Sequence, residues 1–107
     1  MRATPPIFYS TVKVLTRFQT KNYALLIPAR FALRAFPSKR TVVTVVHARG
    51  LPIDMKLRWR GSNSNEVFLT GGWKAFAAMY KLRNGSVLKF NVSSVDESIM
   101  SITIINH

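Results

Sequence analysis

Leu69-Thr70-Gly71-Gly72-Trp73-Lys74-Ala75-Phe76-Ala77-Ala78-Met79-Tyr80-Lys81-Leu82-Arg83-Asn84-Gly85-Ser86-Val87-Leu88-Lys89-Phe90 is the stretch on which the fold turns. Trp73, Phe76, Ala77 and Tyr80 recur at i, i+3, i+4 and i+7, which places them along one stripe of a short core-facing helix. Thr70 is expected to accept hydrogen bonds from the free N–H groups of the first turn, while Gly71 and Gly72 allow the chain to pass from a strand into the helix. Asn84-Gly85 is turn chemistry, and Val87 to Val92 reads as a strand. The stretch is therefore strand end, helix, turn and strand.

Outward from it, the chain is mostly β. Residues 1–8 are expected to form a flexible arm, and residues 9–107 one domain. Phe8 to Leu15 has the β-branched content of a strand, and Thr16 to Tyr23 interrupts it as a polar, basic loop. Ala24 to Ile27 resumes a buried strand. Pro28 suits the first turn of a helix with Phe31, Ala32, Ala35 and Phe36 on its apolar face, and Pro37 ends that helix. Thr41 to Val46 is dense enough in valine to be central or covered on both faces. In the strand from Ile53 to Arg60, Ile53, Met55, Leu57 and Trp59 alternate with Asp54, Lys56, Arg58 and Arg60, so one face packs and the other carries cations. Gly61 to Asn65 is a polar loop, Glu66 to Leu69 a strand, Ser93 to Ser98 a turn and Ile99 to Ile105 a closing strand. Seven short strands and two short helices make a mainly β, α+β domain consistent with a closed or nearly closed barrel.

The 107 residues and 48% hydrophobic content suit one domain with its own core. Without cysteine there is neither a disulfide framework nor a thiolate metal site. Apolar runs fall short of the roughly 18 residues of a membrane span, and Pro5 and Pro6 interrupt the place of a signal peptide's apolar core. A soluble, non-secreted protein is expected. Sixteen Lys and Arg against four Asp and Glu give a net charge of +12, which calls for a polyanionic partner. Twelve of the bases, with Asp54 as the only acid, lie in residues 1–60. The remainder is nearly neutral and reads as scaffold, so Arg83 is expected to add only bulk charge.

Asp54, Glu66, Asp96, Glu97, His47 and His107 form no metal-ligand spacing and no nucleophile and base set. Gly71-Gly72 lacks the other residues of a phosphate-cradling loop. No enzyme, cofactor, metal or small-molecule substrate is expected. Two polar segments, Thr16 to Tyr23 and Arg58 to Asn65, mix cations with Gln, Asn and Ser, side chains that contact phosphates and base edges. Trp59 and Trp73 lie on apolar stripes and read as core.

Leu69-Thr70-x-Gly72-Trp73, Phe76 three residues on, the Leu82-x-x-Gly85 turn and the strand with Phe90 resemble the plant B3 DNA-binding domain, particularly its reproductive-meristem and vernalisation subgroup. Lys13 to Thr16 and Leu26 to Ala32 are similar to the same family's opening strands and first helix. The resemblance runs from about Tyr9 to Ile105. This chain departs from the family pattern at Arg17-Phe18-Gln19, where many members have Ser-Asp, and at Ser86, where Asp is usual. The resemblance implies a seven-stranded open pseudobarrel with two short helices, working in the nucleus on double-stranded DNA as part of a transcription regulator. It further implies two arms that straddle DNA and enter the major groove. By position the first comprises Arg17, Gln19, Lys21 and Asn22, the second Arg58, Arg60, Ser62, Asn63 and Asn65, with Lys13 and Lys56 as phosphate contacts. Two other readings serve the same charge: a small RNA-binding or ribosomal protein, which would prefer structured RNA and show exposed aromatics on a strand face, and a protein-association domain with acidic partners.

Overall fold

A computed structural model describes residues 7–22, 24–48, 50–61 and 65–106. Its seven strands are β1 (Phe8–Val14), β2 (Leu25–Ile27), β3 (Val42–Val46), β4 (Ile53–Trp59), β5 (Val67–Leu69), β6 (Val87–Ser93) and β7 (Asp96–Asn106). Three helices join them: α1 (Arg17–Lys21), α2 (Ala29–Ala35) and α3 (Trp73–Met79). The strand order is β1-β6-β7-β3-β4-β5-β2, with β3 and β7 parallel and every other pairing antiparallel. β4 pairs with β3 along Ile53 to Lys56 and with β5 along Leu57 to Trp59, so this one strand carries the sheet around its bend. β1 and β2 lie at the two ends of the order, leaving an open half-barrel.

The period-2 pattern of the strands explains the core. Leu88, Phe90 and Val92 of β6, Met100 and Ile102 of β7, and Met55 and Leu57 of β4 all turn inward and are buried. α2 adds Phe31, Ala32 and Ala35, with the Phe31 ring 6.4 Å from Phe90. α3 adds Trp73, Phe76 and Ala77, and the Trp73 and Phe76 rings stack at 6.0 Å. Tyr80 completes the expected stripe at the edge of the core, where its ring meets His47 at 4.5 Å.

Several expectations need correction. The segment after β1 is not a loop: Thr16 and Gln19 form a reciprocal capping box that starts α1. Thr16 Oγ1 accepts from Gln19 N–H at 3.2 Å, and Gln19 Oε1 accepts from Thr16 N–H at 2.9 Å, so two of the free donors at the start of a five-residue helix are occupied. Thr70 does not cap α3. Its hydroxyl donates to the Lys56 carbonyl at 3.3 Å, and the cap position falls to Gly72 at φ 119°. A side chain there would be strained and would meet Met55 Cγ at 3.1 Å. β3 is central, but only Val43 and Val45 are fully buried, while Val42 is exposed. Trp59 is half-buried, its indole donating to the Arg40 carbonyl at 2.8 Å beneath the Lys39 ammonium. β7 starts at Asp96, so the turn before it is shorter than expected. Of the expected flexible arm, residues 1–6 lie outside the described residues, and β1 begins within it at Phe8.

Candidate nucleic-acid interface

The first arm hangs from the region around α3. Leu15 is buried, its N–H donates to the Ser86 carbonyl at 2.8 Å, and its carbonyl accepts from Gly85 N–H at 2.8 Å. From that clamp Thr16 starts α1, which is held at two further points. Asn84 Oδ1 accepts the Arg17 N–H at 3.2 Å, and the Trp73 indole donates to the Gln19 carbonyl at 3.0 Å. Arg17 and Lys21 stand exposed on this short helix, while Gln19 and Asn22 are half-buried. Gln19 Oε1 serves the cap, and its amide donors take no part in that bond. Phe18 is 74% exposed between them, an apolar ring in a basic arm that no periodic pattern in the sequence singles out.

The second arm rises from β4. Lys56 and Arg58 project from its outer face, and the stem of Lys56 crosses Gly71. At the arm's root Arg60 N–H donates to the Glu66 carbonyl at 2.9 Å, and the Arg60 guanidinium meets Glu66 Oε2 at 2.9 Å with the two side chains 72% and 44% exposed. Exposed pairs of this kind add about 0 to 1 kcal/mol. Asn65 is exposed, while Ser62 and Asn63 lie outside the described residues.

Between the arms lies the short ladder β2-β5-β4. Leu26, Phe68 and Arg58 are in register across its outer face, and Ala24, Trp59 and Thr70 complete a shallow trough there. The first arm leads into β2 beside Leu69, whereas the second leads into β5 beside Ile27, so the arms leave opposite ends of the ladder. Two residue rises along the three-residue strands set the two roots about 7 Å apart along the ladder.

Lys13 takes the inward alternation of β1, opposite Leu88 and half-buried, and burial lowers its ammonium pKa from the ordinary lysine value. Desolvation disfavours the charged form, so Lys13 is placed less openly than Lys56. Arg83, expected to add only bulk charge, lies with Lys81 beside Arg17 and Lys21. Ser86 is fully buried, and its Oγ accepts the Arg83 N–H at 2.9 Å, so the hydroxyl supplies the acceptor this turn needs. Among the described residues no three of His, Cys, Asp and Glu are grouped as metal ligands, and no helix is long and apolar enough to cross a membrane.

Known proteins share this fold. The family model described as the B3 DNA binding domain matches residues 11–107. The chain is 27% identical over 106 residues to B3 domain-containing protein Os03g0619800 of Oryza sativa subsp. japonica, covering 95% of this chain and 20% of that protein. It thus spans about one fifth of the length of that curated relative. Among solved structures, the hypothetical Arabidopsis thaliana protein At1g16640.1 superposes with a TM-score of 0.76 at 25% identity, covering 100% of this chain and 97% of that one. The Arabidopsis FUS3-DNA complex superposes at a TM-score of 0.70 with 16% identity, over 92% of this chain and 96% of that one, a likeness of fold.

Proposed function

Because the chain belongs to the B3 DNA-binding domain family, we propose that it binds duplex DNA in the plant nucleus, as the DNA-reading part of a transcription regulator and without cofactor or chemistry. Within the family we assign it to the reproductive-meristem and vernalisation type, on the Lys13 to Thr16, Leu26 to Ala32 and Leu69 to Trp73 motifs. The observation that carries the proposal is the pair of cationic arms at opposite ends of one short ladder. Arg17 and Lys21 stand exposed at one end, Arg60 at the other, and Arg58 on the ladder face between them, so cations flank and cross the one face that a duplex would meet.

Phosphate neutralisation supplies most of the affinity, with Lys56 exposed on the β4 face and the half-buried Lys13 of β1 as a lesser contact. Gln19, Asn22, Ser62, Asn63 and Asn65 are the polar side chains that reach base edges, and Phe18 offers an apolar contact for a thymine methyl. For Gln19, Asn22 and Asn65, placement on or beside a short helix or strand end suits this division, since such residues can present side chains without disturbing the core.

Selection from random duplexes followed by titration against salt tests the proposal. With about five phosphates neutralised, log affinity falls against log salt with a slope near −4 to −5, and Arg58→Gln costs about 1 to 3 kcal/mol. Tighter binding to structured RNA than to any duplex would favour the RNA-binding reading, and weak, salt-insensitive binding to both would favour protein association.

A further inference from the structure

The notch between α1 and the turn after α3 has a cationic wall on each side. Arg17 and Lys21 line it from α1, and Lys81 and Arg83 line it from the turn. All four are exposed, and between them lie Ala77 and Ala78, whose methyl groups leave room for a ligand to approach. Four like charges around one depression add up to a local positive potential that attracts an anion. Among the described residues no acid lines the notch. Asp54 accepts from the Thr44 hydroxyl, Glu66 pairs with Arg60, Glu97 with Arg40, and Asp96 is bound by Ser98.

A second, independent feature concerns Lys81. α3 ends with Leu82 N–H donating to the Ala77 carbonyl at 2.9 Å and Lys81 N–H to the Ala78 carbonyl at 3.2 Å, with Leu82 buried. This is the Schellman arrangement, whose left-handed position is usually glycine. Lys81 occupies it at φ 53°, a conformation that a side chain makes unfavourable. Glycine would fit the turn better; what lysine adds is an ammonium at the mouth of the notch. On the other side of the same turn, Asn84 Oδ1 accepts the Arg17 N–H, which directs its amide donors elsewhere.

We propose that this notch, between the first arm and the turn after α3, is an anion site for a backbone phosphate of the bound duplex. The inference rests on the duplex-binding reading above and adds to it a third anchoring element, the Lys81 to Asn84 turn. Its ligand is a phosphodiester, recognised by charge and not by base identity, so the site contributes to affinity and register but not to sequence preference.

The test uses the whole chain and the duplex obtained by selection. Lys81→Gly relieves the left-handed strain, so its melting temperature is expected to equal or exceed wild type while its affinity falls. Lys81→Gly/Arg83→Gln is expected to weaken binding by about tenfold or more and to make the salt slope shallower by about 0.9 for each phosphate left without its cation. Arg34→Gln/Lys89→Gln removes the same charge from α2 and the outer face of β6 and is expected to change binding much less. Equal losses in the two double variants would overturn the site and leave only a general field. If wild type bound no duplex, the reading beneath it would fall as well. If wild type bound and Arg58→Gln weakened it while the Lys81 and Arg83 pair did not, the notch alone would be refuted.

Discussion

The indole N–H of Trp73 donates to the carbonyl oxygen of Gln19 at 3.0 Å, so the most buried side chain of α3 also holds the first arm. Core and arm share this residue. The arm has few buried side chains of its own, and three tethers position it: this bond, the Asn84 bond to Arg17 and the Leu15 clamp. Stiffness at the tip of α1 therefore depends on the packing of α3.

Trp73→Phe keeps an aromatic ring in the core but deletes the bond to Gln19. We expect destabilisation of about 1 to 3 kcal/mol and weaker duplex binding, against about 3 to 5 kcal/mol for Trp73→Ala. Thermal melts read the first quantity. Amide hydrogen exchange across Arg17 to Lys21 should rise in Trp73→Phe by more than the global stability change predicts, and unchanged exchange there would mean that the bond does not hold the arm.

Thr16→Ala removes one half of the capping box. The expected loss is about 0.5 to 2 kcal/mol in α1, which unfolds locally before the barrel does. Because Gln19 completes the same box, Thr16→Ala/Gln19→Ala should cost less than the sum of the two single changes. Additive losses, measured by amide hydrogen exchange across Arg17 to Lys21, would show that the two bonds form independently.

Glu66→Gln releases Arg60 from its carboxylate and removes a negative charge from the root of the second arm. Duplex affinity is expected to rise severalfold, with a stability within about 0.5 kcal/mol of wild type. Arg60→Ala should do the reverse, leaving Glu66 to repel the backbone, and Arg60→Ala/Glu66→Gln should recover part of that loss. Lower affinity in Glu66→Gln would place Arg60 away from DNA.

Asp96 is held below the ordinary carboxylate pKa, first by the Ser98 hydroxyl and then by the Ser98 N–H at 3.0 Å. Both bonds favour its charged form. A carboxylate with a folded pKa below its unfolded one contributes stability that is complete above the unfolded pKa and is lost as pH falls through the folded one. Carboxyl NMR titration should find Asp96 among the last acids to protonate, and Ser98→Ala should raise its midpoint. An unchanged midpoint in Ser98→Ala would remove Ser98 as the cause.

Most of the barrel was legible as periodicity. The β4 alternation, the Trp73 to Tyr80 stripe and the Phe31 to Phe36 face each settle a local partition between core and solvent, and burial enforces that partition wherever the element sits. The net charge and the scarcity of acids likewise belong to composition and survive any folding. α1 was also readable, since Thr16-x-x-Gln19 is a capping signature, but its polar and basic side chains hide a helix from any search for an apolar stripe.

Tertiary structure alone decided which cations stand together. Arg17 and Arg83 are far apart in sequence, and only antiparallel pairing of β1 with β6, together with the bond from Arg17 N–H to Asn84, brings both to one notch. The same holds for Lys13, whose inward position follows from β1 register, and for Arg60, whose partner is chosen by the β4 to β5 hairpin. Side-chain direction along a strand has period 2 and can be read locally, whereas contact between elements depends on strand order and register, which a single sequence specifies only through the whole fold.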